Sequence, residues 1–392
     1  MRKFTQSLAL AALLLSTSAY AQNVAPAASV AAKAAKVPWL YEGSDVPVDD
    51  SWTFGVLPNG LRYAVKKNDV PAGQVSIRVR IDAGALHENN DEQGFAHLIE
   101  HLSFRGSTFV PDGEAKRIWQ RFGVTFGSDS NAQTTPTQTV YKLDLPNATP
   151  EKLDESVKII SGMIRNPRIS PSALNAERAI VLAELRENSG AQMVYSDALR
   201  QHAFQGQRLA NRSTIGTPET LQAADALRLS AFHDRWYRPE NAVVVMAGDI
   251  EPTQLANLVQ KYFNDWKGKG ARAPEPAFGD PTPQGTPTRV LIEPTLPTTV
   301  SIAYLRPWRK VDDTIAYNEQ LLIDALALQI INRRLEVQAR SGGNYLFAEI
   351  AQEDISRTAD ATLVSITPVG DKWEAATRDV RAVIADAIAT PP

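Results

Sequence analysis

Cysteine is absent from the 392 residues, so no disulfide staples the fold and an oxidising compartment poses no thiol hazard. Stability must therefore come from core burial. No glycine-rich fingerprint leads from a strand into a helix, and no Gly-Lys-Ser/Thr triplet occurs, which removes the phosphate-loop nucleotide binders. There is no lysine/arginine stripe, and a formal net charge of −3 does not fit a nucleic-acid surface. The longest apolar run near the N-terminus, Leu8 to Leu15, falls well short of the roughly 20 residues a membrane helix needs, so no integral membrane segment is expected. Histidine is scarce. The five are His87, His97, His101, His202 and His233, and imidazole chemistry has few places to reside.

What is present at the N-terminus reads as an export signal. Arg2 and Lys3 precede the Leu/Ala run, and Ala19-Tyr20-Ala21 is a small-x-small cleavage site. Residues 1–21 are therefore expected to be a signal peptide and 22–36 a flexible Ala-rich leader, with the mature chain periplasmic or secreted. At 267–288, Lys267-Gly268-Lys269-Gly270 is followed by five prolines between Pro274 and Pro287, the composition of a linker. It divides a domain at 37–266 from one at 289–392. The second domain stops at Ala389-Thr390-Pro391-Pro392 without a cap or terminal strand and is expected to be incomplete.

Strand signals come in groups. Leu57-Pro58-Asn59-Gly60 lies between β-prone runs as a hairpin turn, and Val75, Ile77, Val79 and Ile81 alternate with polar residues. A strand over 137–145 puts Tyr141, Leu143 and Leu145 on one face. Helices are expected over 94–104, 111–122, 151–165, 171–204, 218–236 and 252–266, with a strand at 242–247. Ser170 and Pro171 announce the helix from 171 as cap and first turn. The second domain repeats a similar order, with strands at 289–292 and 300–305, a helix over 313–339, strands at 345–353 and 361–367 and a helix over 372–388. The fold class is α+β: two related domains, each an antiparallel-rich sheet with helices on one face. No histidine follows His233, so only the first domain can hold an imidazole site.

That site is the run His97-Leu98-Ile99-Glu100-His101. Histidines at i and i+4 share a helix face about 6 Å apart at Cβ, which suits two nitrogens on one metal ion. Glu100 reaches the same space without being a ligand, which is the layout of a general base acting on water. The bland alternative is a chance pair of surface or core histidines, but the order His-x-x-Glu-His is a recognised inverzincin signature. A catalytic zinc usually needs three protein ligands. On the helix from Pro171, Leu174, Glu177, Val181, Glu184 and Asn188 form one stripe, too apolar for two freely solvated carboxylates. Pairing of these carboxylates with Arg178 or Arg186 at the surface is the competing reading.

Further stretches extend the pattern: Gly94-Phe95-Ala96 before the motif, Phe104 and Gly106 after it, then Asn131-Ala132 with Thr134 and Gln138-Thr139-Val140-Tyr141. Glu177-Arg178 through Glu184 follows, then Tyr237-Arg238-Pro239-Glu240-Asn241 leading to Ala247-Gly248-Asp249. Together they resemble the pitrilysin, insulysin and mitochondrial processing peptidase family of zinc metallopeptidases, in family order over nearly all of the first domain. The resemblance implies Zn²⁺ held by His97, His101 and Glu184, with Glu100 as the base and Glu177 orienting the site. Glu177 lies at the family's usual interval from His101 and Glu184 beyond it. The local pattern of Glu-Arg, an apolar run and a second glutamate favours Glu184 as the ligand. Two imidazoles and a carboxylate would also accept cobalt or manganese.

The resemblance also implies that Asn131, Ala132 and Thr134 bind a peptide as an added strand, although Gln133 stands where the family commonly carries an aromatic. It further implies a second two-domain half, from the same polypeptide or a partner subunit, that encloses the site. Arg340 and Tyr345 lie in the same half as the motif and receive no role. The expected function is an exported zinc metalloendopeptidase acting on peptides or unfolded segments. The alternative is a non-catalytic scaffold or partner subunit of the same family, but such members lose motif residues that are all present here.

Overall fold

The computed structural model describes residues 39, 41–282 and 285–390, so the expected signal peptide and leader lie outside the described residues. Alternating apolar residues in the first half build a six-stranded sheet. Its strands are β1 (Trp52–Val56), β2 (Arg62–Lys67), β3 (Val75–Ile81), β4 (Ser130–Thr134), β5 (Thr139–Leu145) and β6 (Ala242–Gly248), in the order β1-β2-β6-β3-β5-β4. Neighbours are antiparallel except β2 and β6, which run parallel. Val75, Ile77 and Val79 of β3 stand opposite Leu145, Leu143 and Tyr141 of β5, so both period-2 patterns bury on the same face.

The helices that cover this sheet are α1 (Phe95–Ser103), α2 (Glu114–Arg121), α3 (Pro150–Arg165), α4 (Pro171–Glu187), α5 (Ala191–Ala203), α6 (Pro218–Ala223), α7 (Ala226–Trp236) and α8 (Pro252–Phe263). They close one large core in which Leu98, Ile99, Leu143, Phe232 and Phe263 are wholly buried. Two expected helices are broken. The one over 171–204 is interrupted at Asn188-Ser189-Gly190, where Gly190 adopts extended backbone and restarts the chain as α5. The one over 218–236 is interrupted at Ala224-Asp225, where the Asp225 carboxylate accepts the Arg228 N–H as a new cap.

The second half forms a three-stranded antiparallel sheet, β7-β9-β8, from β7 (Val300–Pro307), β8 (Tyr345–Ile355) and β9 (Ala359–Pro368). It is joined by α9 (Ile315–Arg340) and α10 (Trp373–Ala389). The strand expected at 289–292 does not form. Pro287 and Pro294 bracket it, Val290 and Ile292 are each 86% exposed, and with no partner strand among the described residues these four do not offset the entropy of ordering them. The tight turn between β8 and β9 packs on helical and loop segments of the first half. There Gln207 Nε2 donates to the carbonyls of Thr358 and Gly279, each at 2.9 Å, and Ala359 is buried with Leu86, Phe204 and Leu209. None of the described helices is long and apolar enough to cross a membrane.

Candidate metal centre

α1 starts at Gly94, whose φ of +89° is a conformation that L side chains rarely adopt. A Cβ there would also stand 2.8 Å from the Ile215 carbonyl oxygen, so glycine is required twice over. Phe95, Ala96, Leu98, Ile99 and Leu102 are buried in the core, and α1 packs against β4, α4 and α7. His97, Glu100 and His101 are left on the face toward α4 and β4. Across from them α4 is capped by the Ser170 hydroxyl, which accepts the Ala173 N–H at 3.2 Å, with Pro171 in its first turn. Leu174, Glu177 and Val181 on this helix are buried.

The two helices bring three ligand atoms, from His97, His101 and Glu184, within 4.8 Å of one another. Glu184 Oε2 lies 3.8 Å from His97 Nε2 and 3.6 Å from His101 Nε2. Glu177, seven residues earlier on α4, faces the back of the second ring: its Oε2 is 3.0 Å from His101 Nδ1. That contact occupies Nδ1 and leaves Nε2 turned to the shared space, as a carboxylate behind a metal-binding imidazole does by fixing its ring. Arg178 is directed elsewhere, its guanidinium donating to the Leu221 and Ala224 carbonyls.

Glu100 is 8% exposed, and its Oε2 accepts the Thr134 hydroxyl at 2.5 Å. Thr134 ends β4, which is an edge strand of the six-stranded sheet, so the edge and the carboxylate adjoin. Asn131 on β4 is exposed and Ala132 is half-buried, opposite Lys142 and Tyr141 of β5. Sequence reasoning missed Arg105, whose Nε lies 3.4 Å from Glu177 Oε1 while Nη2 reaches Asp112 at 3.3 Å. It stands four residues after His101, one helical turn, which was the available signal. A buried chain of hydroxyls was also missed: Ser103 Oγ to Tyr141 OH at 3.1 Å, and Tyr141 OH to Tyr237 OH at 3.0 Å. Nothing in their spacing links Tyr141 to Tyr237. Tyr345 is a core residue whose hydroxyl donates to the Leu335 carbonyl, and Arg340 pairs with Glu336 on the surface.

Burial, helped by the neighbouring His101, pushes His97 down to about 4, so its ring is neutral at pH 7 with a lone pair to offer. Burial lowers His101 too, but the Glu177 hydrogen bond and the charges of Glu184, Glu177 and Glu100 outweigh it and leave its pKa raised. Burial raises Glu100 above the ordinary glutamate value, against the Thr134 hydrogen bond and His101. A raised carboxylate beside two imidazoles is poised to exchange protons nearer neutral pH. The donor set of two imidazole nitrogens and one carboxylate oxygen, with one back nitrogen already occupied, fits Zn²⁺.

The insulinase model, peptidase family M16, matches residues 63–217, and the peptidase M16 inactive-domain model matches 223–354. The chain belongs to peptidase family M16. Among its M16 relatives, the probable zinc protease PqqL of Haemophilus influenzae is 32% identical over 222 residues, 57% of this chain and 24% of that one. The crystal structure of the periplasmic protease PqqL from Escherichia coli superposes with a TM-score of 0.79 at 25% identity, over 87% of this chain and 38% of that one. Cytochrome b-c1 complex subunit 1 of Bos taurus is 30% identical over 213 residues, 54% of this chain and 42% of that one. The chain thus spans about a quarter of the length of the Haemophilus relative. Its fold is the α+β fold of these M16 structures, and Zn²⁺ is the cofactor of the family site.

Proposed function

We propose that this chain is the zinc-bearing half of an exported metalloendopeptidase that cleaves peptides or unfolded segments. The observation that carries the reading is the meeting of His97 Nε2, His101 Nε2 and Glu184 Oε2 beside the buried Glu100 and an open sheet edge. His97, His101 and Glu184 hold Zn²⁺, which when bound supplies Lewis acidity to water and to the peptide carbonyl. Glu177 fixes the His101 ring by accepting from Nδ1, and Arg105 steadies Glu177. Asn131, Ala132 and Thr134 offer the edge of β4 to an extended peptide, whose main chain supplies affinity with little sequence preference. Glu100 takes a proton from the attacking water as its oxygen bonds to the carbonyl carbon, and returns it to the leaving nitrogen as the C–N bond breaks. The Thr134 hydroxyl holds the carboxylate for both transfers.

The export signal expected at 1–21 and the periplasmic location of the E. coli relative support action outside the cytoplasm. In this reading 37–266 is the zinc domain, 267–288 the linker and 289–392 a family domain without metal. A second half, in the same polypeptide or from a partner subunit, completes the substrate chamber. The competing reading, a subunit without catalysis, is favoured by the likeness to a cytochrome b-c1 complex subunit. Zinc content and cleavage of a quenched peptide library, wild type against Glu100→Gln, separate the two. One zinc per chain, with cleavage lost in the variant, supports the peptidase. Zinc without cleavage in either protein supports the subunit, and a wild type that takes up no zinc sinks the metal site. Glu184→Gln is expected to lose zinc and Glu177→Gln to retain it with weaker affinity; equal zinc in wild type and Glu184→Gln refutes the ligand assignment.

A further inference from the structure

His97 and His101 are held in different ways. The back nitrogen of His101 faces Glu177, whereas the Nδ1 of His97 is buried with no hydrogen-bond partner among the described residues. The aim of His97 therefore depends on the backbone beneath it, the first turn of α1. That turn begins at a glycine with no side chain to cap it. Its N–H groups are met instead by Glu88, from the far end of the preceding loop: Oε2 accepts the Gly94 N–H at 3.0 Å and Oε1 the Ala96 N–H at 2.9 Å. Ala96 is the residue directly before His97.

Glu88 is 0% exposed. A carboxylate buried so completely is costly unless donors surround it. Besides the two N–H groups it faces the positive end of the α1 dipole, and the buried guanidinium of Arg212 stands close by, donating to the Glu88 backbone carbonyl at 3.3 Å and to Asn90 Oδ1 at 2.6 Å; burial outweighs these and holds the Glu88 pKa well above the usual carboxylate range. Both oxygens of one rigid carboxylate thus fix two backbone points on the turn that carries His97. An ordinary cap would use a serine or aspartate at the cap position itself and bond one or two N–H groups locally. Here the reach across six and eight residues ties the loop and the histidine to one another.

We propose that Glu88 is a positioning residue that sets the first turn of α1 and so aims His97 at the metal. This rests on the metal-site reading above. The test uses the whole chain with Zn²⁺ and with Co²⁺ as probes, in wild type, Glu88→Gln, Glu88→Asp and Glu92→Gln. Glu92 lies in the same loop, paired to Arg235, and its side chain does not bond α1. Glu88→Gln is expected to weaken Zn²⁺ affinity about ten- to a hundredfold and to shift the Co²⁺ ligand-field bands. Glu88→Asp, which keeps the carboxyl group but reaches less far, should recover part of both, and Glu92→Gln should change neither. Wild-type affinity and spectra in both Glu88 variants, even with a lowered melting temperature, would show a structural cap only and overturn the proposal. Failure of both variants to fold would also assign Glu88 to folding and overturn it. If the wild type takes up neither metal, the metal-site reading falls instead.

Discussion

The two sheets share a unit and differ in how it is finished. In the first, β3, α1 with α2 after it, β4, β5 and α3 give the strand order β3-β5-β4; in the second, β7, α9, β8, β9 and α10 give β7-β9-β8, again antiparallel. In the first sheet β6 pairs with the free edge of β3, followed by β2 and β1, and α4 and α7 close over α1. Among the described residues β7 has only β9 as a neighbour. The consequence shows in the helices. Seven of the nine residues of α1 are buried, whereas in the 26 residues of α9 only Leu335 is, with Leu321, Leu322, Ile323 and Leu326 exposed. A helix clamped on several sides can hold two imidazoles in register. A helix packed on one side presents an apolar face to whatever covers it.

The largest expected effect asks whether chemistry resides in the first sheet alone. In the zinc-loaded protein, Glu100→Gln should lower peptide hydrolysis by roughly 10²- to 10⁴-fold with zinc retained, while Arg340→Ala at the exposed end of α9 leaves the rate unchanged. Equal losses in both would erase the distinction. Next comes packing: Leu98→Ala, wholly buried in α1, should cost about 2–5 kcal/mol in urea unfolding. A smaller loss would mean that the closed core is looser than its burial implies.

The third effect is on pH. Metal-free His101 has a raised pKa and keeps its proton to a higher pH than an ordinary histidine, so zinc must displace that proton. Affinity should be flat above the raised value and fall about tenfold per pH unit below it. His97, pushed down to about 4, adds a second proton only near that pH. Glu177→Gln removes the hydrogen bond that raises His101 and should move the break to lower pH. Chelator-competition titrations across pH 5 to 8 read both, and an unmoved break would detach Glu177 from His101. The smallest effect concerns the open face: Leu322→Ala should change stability by no more than about 0.5 kcal/mol. A cost like that of Leu98→Ala would show that α9 is covered in solution.

Legibility in the sequence followed the range of the interaction. The i, i+4 spacing of His97 and His101, the period-2 runs of β3 and β5 and the Ser170-Pro171 start of α4 are local, and local sterics and capping suffice to read them. The misreadings sit where context overrides pattern. Residues 289–292 have strand-like composition but no partner strand among the described residues, and the helical run from 171 breaks at Gly190, where α5 restarts. The parallel pairing of β2 with β6 joins segments far apart in the chain and leaves no periodic trace.

Five contiguous residues therefore determined by themselves the helix and the two imidazoles on one face, because these depend on neighbours within a turn or two, and the short stretches from Gly94 to Asp249 together carried the family resemblance. The local pattern favoured Glu184 over Glu177, but how each glutamate stands to the two rings was decided by tertiary structure. Glu177 and Glu184 share a stripe on α4, and the crossing of α4 with α1 sets one behind His101 and the other in front of both rings. The same holds for Glu88 and Thr134, whose partners are backbone and carboxylate atoms brought near by the loop and by β4. Packing of helices onto a sheet fixes such distances, and no pattern along the chain encodes them.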